Sequence, residues 1–473
     1  MLNPPLMSYY LAGAAILFGW SEIGLHSACV ILAVCVVLGT YRLAQNFCMK
    51  PWLAALAAFF SPGFLVSSTT VMCDVGMLAF WIWAVVFWTE GTKQPSLAKL
   101  AISGVLIGMA ILTKFSAICL IPLLAAFSLI ENRIIGDWLV FLLIPIGILV
   151  AHELLTLELY GYPHFFFAND FAQSHHTNLI KAFTTLTFIG GCFATGLLCS
   201  PYLGGRMFWF LIGCGGISLF ALAIVGGLMA KNYYWIVGHT RIAVEIQILL
   251  WSTAGLGVLA LAFSEAWHKR DANSWLLALW VVGSFVYAAF FYFMVNARAI
   301  LPMTPAVAIL MARRFEQNLT VLPLGLRLSL VASAALSLLT AWADCQQAKG
   351  VRETAELVCA KYSSRSGRLW FQGHWGFQYY MQAKGARPVD FANPQLTAGD
   401  FVCSPELNSN EFPLNPQNST LDHVFSVHRF PWLATLNDKV GAGFYSSHWG
   451  PLAFTIGLTG AGVIWRDPRS RDH

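Results

Sequence analysis

Long apolar runs, each interrupted by a few charged or turn-forming residues, recur through the first 342 positions of the chain. A membrane-spanning helix needs about 20 mostly apolar residues. On that rule the runs near 22–42, 51–66, 75–90, 99–113, 115–131, 138–158, 184–200, 206–229, 246–265, 273–294, 299–312 and 325–342 predict about twelve spans. Residues 1–21, apolar and aromatic but opened by Pro4 and Pro5, predict a helix lying in the membrane interface ahead of the first span. The segment 159–183 predicts a loop.

After residue 342 the pattern changes. RLWFQGHWGFQYYM, ARPVDFANP, HRFPWLATL and GFYSSHWGPLAF read as short strands separated by Gly, Pro, Asn and Ser clusters. The fold class expected is therefore mainly α, a polytopic membrane helix bundle over 1–342, followed by a small α+β domain over 343–473. Trp370, Phe371, His374, Trp375, Tyr379 and Tyr380 form a dense aromatic set there, readable as core or as a stacking platform for a sugar.

Composition agrees with this division. Only 11% of the 473 residues are charged and 57% are apolar, whereas a soluble globular chain carries about 25% charged residues. That excludes a single water-soluble domain and a disordered chain. The charges are uneven: 28 fall in the first 342 residues and 23 in the last 131. The net charge of +5 forms no basic run or stripe, so nucleic acid is not an expected partner.

Orientation follows from the short-loop Lys and Arg residues. One set of loops carries eleven, among them Arg42, Lys93, Lys99, Lys269 and Arg313, and the other carries five: Lys114, Lys181, Lys231, Arg241 and Arg298. The richer set is expected to be cytoplasmic. The 159–183 loop and the C-terminal domain are then extracytoplasmic. Of the eleven cysteines, eight sit in or beside apolar runs as packing residues, and Cys345, Cys359 and Cys403 lie in the tail, where two could pair in an oxidising compartment.

Ionisable residues at membrane depth are costly, and each is a candidate for function. Asp74, Lys114, His152, Glu153 and Arg298 all fall at the predicted outer ends of spans. Asp74 reads either as a carboxylate stabilised by a helix N-terminus or as a catalytic or metal-binding group. Lys114 and Arg298 read either as snorkelling anchors or as ligands for an anionic head group, with phosphate the anion at that depth. The aromatic stretch YGYPHFFFANDFAQSHH adds His164, Asp170, His175 and His176, a set that either shapes a substrate or holds a metal, though its spacing matches no known zinc pattern.

Three stretches together resemble a known family. NPPLMSYYLAGAAILFGWSEIGLHSACVILAVCVVLGTYRLA resembles the segment after the first outer loop of bacterial membrane glycosyltransferases of the dolichyl-phosphate-mannose protein mannosyltransferase type, a group that includes the aminoarabinose transferase acting on lipid A. AAFFSPGFLVSSTTVMCDVGMLAFWIWA, with LAKLAISGVLIGMAILTKFSAICLIPLL, is similar to its second acidic loop and Leu-Thr-Lys turn. NARAILPMTPAVAILMA is similar to its Arg-Tyr-Leu-Leu-Pro segment, with Ala299 in place of Tyr.

The resemblance implies a GT-C fold and a hexosyl- or pentosyltransferase. Its donor would be a polyprenyl-phosphate-linked sugar and its acceptor a lipid, glycan or protein hydroxyl, as in lipopolysaccharide or protein glycosylation. The implied location is a bacterial cytoplasmic (inner) membrane, with the site on the outer face. Asp74 corresponds to the second acidic residue, and Lys114 and Arg298 to positions near the lipid phosphate. No cofactor is required, with a divalent cation the one option. The family's first span and first acidic loop have no counterpart before Asn3, which suggests an internal start or an inactive copy. A twelve-span secondary transporter is the alternative from another class, but no similarity between halves supports it.

Overall fold

The protein is described by a computed structural model covering residues 3–133, 136–173, 179–318, 322–392, 395–409, 411–412, 414–415, 417, 419–427, 430–457 and 463–468. Among these, eight helices are long and apolar enough to cross a membrane: Glu22–Ala44, Cys73–Lys93, Phe115–Asn132, Trp138–Tyr160, Arg206–Val225, Gly238–Lys269, Ala272–Phe291 and Leu324–Tyr362. The pair Pro51–Phe59 and Pro62–Ser68, bent by 65° where Pro62 interrupts the run, makes a ninth if counted as one span. Three further expected spans are shorter or broken. Leu97–Thr113 has 17 residues, Leu179–Cys192 stops before a break at Phe193, and the 299–312 run is divided between Ala297–Ile300, a 3₁₀ turn holding Pro302, and Thr304–Asn318.

Small residues allow these helices to approach closely. A Cβ on Gly190 would lie 1.8 Å from the Trp251 carbonyl oxygen, and one on Gly255 would lie 2.1 Å from that of Leu186. Helix Leu179–Cys192 therefore lies directly against Gly238–Lys269, the small-residue packing typical of lipid, where burying apolar surface drives little association.

Charge separates the two ends of the bundle. Glu90 pairs with Arg42 and Lys99, each at 2.8 Å, while Glu265 pairs with Lys269 at 3.0 Å and Arg313 at 3.1 Å. Lys93 donates to Asn273 at this same end. The other end holds Asp74, which opens the 21-residue helix Cys73–Lys93. At 1.5 Å per residue the helix sets the two ends about 30 Å apart, the thickness of a bilayer core.

The tail differs from the expected arrangement of strands. Helix Leu324–Tyr362 continues without interruption across residue 342. Beyond it, Leu369–Phe371 forms the centre of a parallel three-stranded sheet between Arg387–Pro388 and Phe401–Cys403. WGFQYYMQA, expected to be extended, is instead helix Trp375–Ala383, with Phe377 and Met381 buried one turn apart. These elements enclose a small core of their own with Val358, Cys359 and Tyr362. Residues 433–456 do not join that core: Leu433, Phe444, Leu452 and Phe454 pack into the main core of the bundle. Cys345 and Cys359 are both free thiols.

Candidate functional site

Asp74 stands in the first turn of its helix, where the unsatisfied N–H groups and the helix dipole favour a carboxylate. Lys114 caps the neighbouring helix Leu97–Thr113 with extended backbone before the chain re-enters a 3₁₀ turn, Phe115–Cys119. Arg298 belongs to the four-residue helix Ala297–Ile300, started by Asn296, whose side-chain oxygen accepts the Ala299 N–H at 2.8 Å. Three separate helix ends thus converge.

Lys114 Nζ lies 2.6 Å from Asp74 Oδ1, and Arg298 NH1 lies 3.8 Å from Asp74 Oδ2. The side chains of Asp74, Lys114 and Arg298 are 2%, 9% and 22% exposed, so the trio is largely withdrawn from water. Lys114 Nζ also sits 5.1 Å from the centre of the Tyr292 ring, a cation–π contact. Tyr292 follows directly on a π-helical turn, Tyr287–Phe291, a distortion frequent at functional sites.

One carboxylate facing two cations leaves a formal charge of +1. Asp74 Oδ2 and Arg298 Nε make no hydrogen bond among the described residues. The trio therefore keeps an acceptor and a donor for a further polar group, and its charge favours an anion. Among the described residues no group of three or more His, Cys, Asp or Glu side chains is placed to hold a metal ion.

The remaining expected site residues separate. His152 and His164 lie with ring centres 5.8 Å apart, both against Phe115, the residue after Lys114. Glu153 has a structural task, since its carboxylate accepts the Phe165 N–H and caps helix His164–Gln173 within the expected loop. Asp170 lies on that helix, but its side chain is outside the described residues, as are His175 and His176. In the tail aromatic set, Trp370 and Phe371 are buried as core, while Trp375 and Tyr379 remain part-exposed.

Tyr292, Tyr445 and Asp344 were not singled out from the sequence. Asp344, buried on helix Leu324–Tyr362, accepts hydrogen bonds from Thr435 Oγ1 at 2.6 Å and from the Tyr445 hydroxyl at 2.8 Å. An ionisable residue at the end of an apolar run was the available signal for Asp344. For the two tyrosines there was none, in a chain with 14 of them.

Residues 3–155 match the model of the dolichyl-phosphate-mannose-protein mannosyltransferase family. The match spans about a third of the chain and contains Asp74 and Lys114, so the N-terminal part carries the sequence character of this glycosyltransferase superfamily. Arg298 lies outside the match and is brought in by the fold. No curated protein sequence matches the chain.

Several solved structures are similar to the chain. ArnT from Cupriavidus metallidurans bound to undecaprenyl phosphate is 14% identical, with 85% of this chain and 83% of that one covered and a TM-score of 0.42. The archaeal oligosaccharyltransferase AglB from Archaeoglobus fulgidus, in complex with an inhibitory peptide and a dolichol-phosphate, is 15% identical, with 86% and 61% covered and a TM-score of 0.44.

Proposed function

We propose that the protein is a membrane glycosyltransferase that moves a sugar from a polyprenyl-phosphate donor to a hydroxyl of a lipid, glycan or protein acceptor, with inversion at the anomeric carbon. The observation that carries this reading is the buried trio, in which Asp74 is 2.6 Å from Lys114 and 3.8 Å from Arg298 at the end of the bundle away from the basic cluster. By the distribution of loop charge, that end is extracytoplasmic in a bacterial inner membrane, as is the tail.

In this reaction the acceptor oxygen attacks the anomeric carbon as the bond from that carbon to the phosphate oxygen breaks. The electron pair leaves with the polyprenyl phosphate. Lys114 acts as a point charge and Arg298 as a planar donor, and together they stabilise the negative charge on the leaving phosphate in a site with little water. Asp74 Oδ2 orients the acceptor hydroxyl and accepts its proton as the new bond forms.

The trio lies at helix ends, as suits a reaction on a lipid phosphate. A transporter would instead hold its charged residues near the membrane midplane. The test is release of polyprenyl phosphate from a polyprenyl-phosphate sugar by the purified protein in liposomes, compared with Asp74→Asn, Lys114→Ala and Arg298→Ala. Turnover in the wild type that is lost in these variants supports the reading, and full turnover in all three refutes the site.

A further inference from the structure

Among the described residues the Arg298 side chain has one close hydrogen bond, from NH1 to Met72 Sδ at 2.8 Å. Its Nε makes none among the described residues, and its nearest contact to Asp74 is 3.8 Å. With a weakly accepting thioether as its one close partner, the guanidinium depends on its backbone for its placement. That backbone is held from the tail: the Ala297 N–H donates to the Phe444 carbonyl at 2.9 Å, and the Ser447 N–H donates to the Val295 carbonyl at 2.8 Å. The two bonds clamp the residues immediately before Arg298.

The clamping segment is itself anchored to the bundle. Leu433–Ala434 pairs with Thr455–Ile456, and Leu436–Asn437 pairs with Ala442–Gly443, which folds 433–456 into a compact strap. Gln247 exchanges two hydrogen bonds with Ile456, at 2.7 and 3.0 Å, and the Tyr233 hydroxyl donates to the Ser447 carbonyl at 2.7 Å. Between the clamp residues Phe444 and Ser447 stands Tyr445, whose hydroxyl is bonded to the buried Asp344 carboxylate, 101 positions earlier. Thr435 uses the other oxygen of that carboxylate.

We propose that Tyr445, anchored on Asp344, is a positioning residue for Arg298, so that the strap 433–456 is a working part of the phosphate site. This rests on the reading of Lys114 and Arg298 as that site. Loosening the Tyr445 hydroxyl frees the 444–447 turn, releases the two backbone bonds, and lets the guanidinium drift from the phosphate position. A displacement of about 1 Å at such a contact weakens it strongly without removing any charge.

Two measurements on the full-length protein in detergent separate this proposal from the reading beneath it. In the first, amide hydrogen exchange of the peptide spanning 292–300 is compared between the wild type and Tyr445→Phe, with Tyr379→Phe as a control that loses a tail hydroxyl bonded elsewhere, to the Trp20 carbonyl. Exchange should accelerate about tenfold in Tyr445→Phe, as loss of one hydrogen bond of this kind implies, and stay unchanged in Tyr379→Phe. In the second, binding of undecaprenyl phosphate is followed by native mass spectrometry across the cycle of Tyr445→Phe, Arg298→Ala and the double variant. Tyr445→Phe should lower affinity about tenfold in the wild-type background and not at all beside Arg298→Ala.

Unchanged exchange in Tyr445→Phe overturns the proposal, as does an equal loss of affinity in both backgrounds, since a merely structural role would persist without Arg298. Faster exchange in a protein that binds no undecaprenyl phosphate supports the clamp and overturns the lipid-phosphate reading instead. Asp344→Asn, which keeps one acceptor oxygen, provides a second variant if Tyr445→Phe does not fold. It should show the same two effects, smaller in size, and wild-type exchange there also overturns the proposal.

Discussion

Asp74 and Lys114 are 40 residues apart in the chain and 2.6 Å apart in the fold, each at the end of its own helix. The carboxylate is 2% exposed and the ammonium 9%. Neither charge would be tolerated there without the other. The pair is therefore a structural requirement as well as a candidate site, and the two roles separate experimentally.

Lys114→Ala leaves a buried carboxylate facing only Arg298. Removing one partner of a buried pair costs about 3–5 kcal/mol, so the variant should unfold at markedly lower temperature. The triple variant Asp74→Leu/Lys114→Met/Arg298→Met removes all three charges and should recover most of that stability while remaining inactive. Thermal unfolding and turnover measured on the same samples check this.

Arg298→Lys keeps the charge but loses the planar fork and shortens the reach. If the guanidinium meets a phosphate with two donors, turnover should fall about 100-fold, with little change in melting temperature, because Arg298 contributes no close hydrogen bond to Asp74. Steady-state kinetics beside a melting curve decide it.

The tail titrates on its own terms. Partial burial of the Glu411 carboxyl pushes its pKa up to about 7, with Glu406 adding to the rise. A carboxyl raised in the folded state leaves stability intact below its unfolded value near 4.5 and takes it away as pH rises through 7. Glu411→Gln should thus stabilise the tail at pH 8 and be neutral at pH 4.

Asp400 titrates in the opposite sense. Its partial burial would raise the pKa, but N–H donors from Arg368 and Thr397, the Trp370 indole and the Thr397 hydroxyl hold it down at about 2. Its contribution is present above pH 3.8 and lost as pH falls through 2. Asp400→Asn should therefore destabilise at neutral pH and make no difference at pH 2. Unfolding curves across pH would show both.

Gly190→Ala and Gly255→Ala test the helix crossing that seats Leu179–Cys192. Each added Cβ meets a backbone carbonyl at about 2 Å, and backbone cannot step aside as a side chain can. Each variant should lose about 2–3 kcal/mol or fail to accumulate, read as melting temperature and yield in detergent. Gly147→Ala, which meets nothing within 4 Å, is the matched control.

Much of this organisation was legible in the sequence because membranes impose simple rules. Apolar runs of span length gave the helices. Lys and Arg in short loops gave two distinct ends, and Asp74, Lys114 and Arg298 stood out because charge at such depth is rare. Position in the fold was less legible. Glu153 stood out in the sequence as a charge at depth, but nothing there foretold that its carboxylate accepts the Phe165 N–H. Helix Trp375–Ala383 was hidden because aromatic residues favour strands, and only packing of Phe377 and Met381 on one face selects the helix. The short strands of the strap 433–456 were legible, but its seat on the bundle was not, since its anchors, Asp344 with Tyr445 and Gln247 with Ile456, join residues 101 and 209 positions apart.

The most direct measurement of the central claim is release of polyprenyl phosphate from a polyprenyl-phosphate sugar in liposomes holding the full-length protein and an acceptor. Release should require Lys114, Arg298 and Asp74 together, with each of Lys114→Ala, Arg298→Ala and Asp74→Asn reducing the rate by at least about 100-fold. Wild-type rates in all three variants would contradict it.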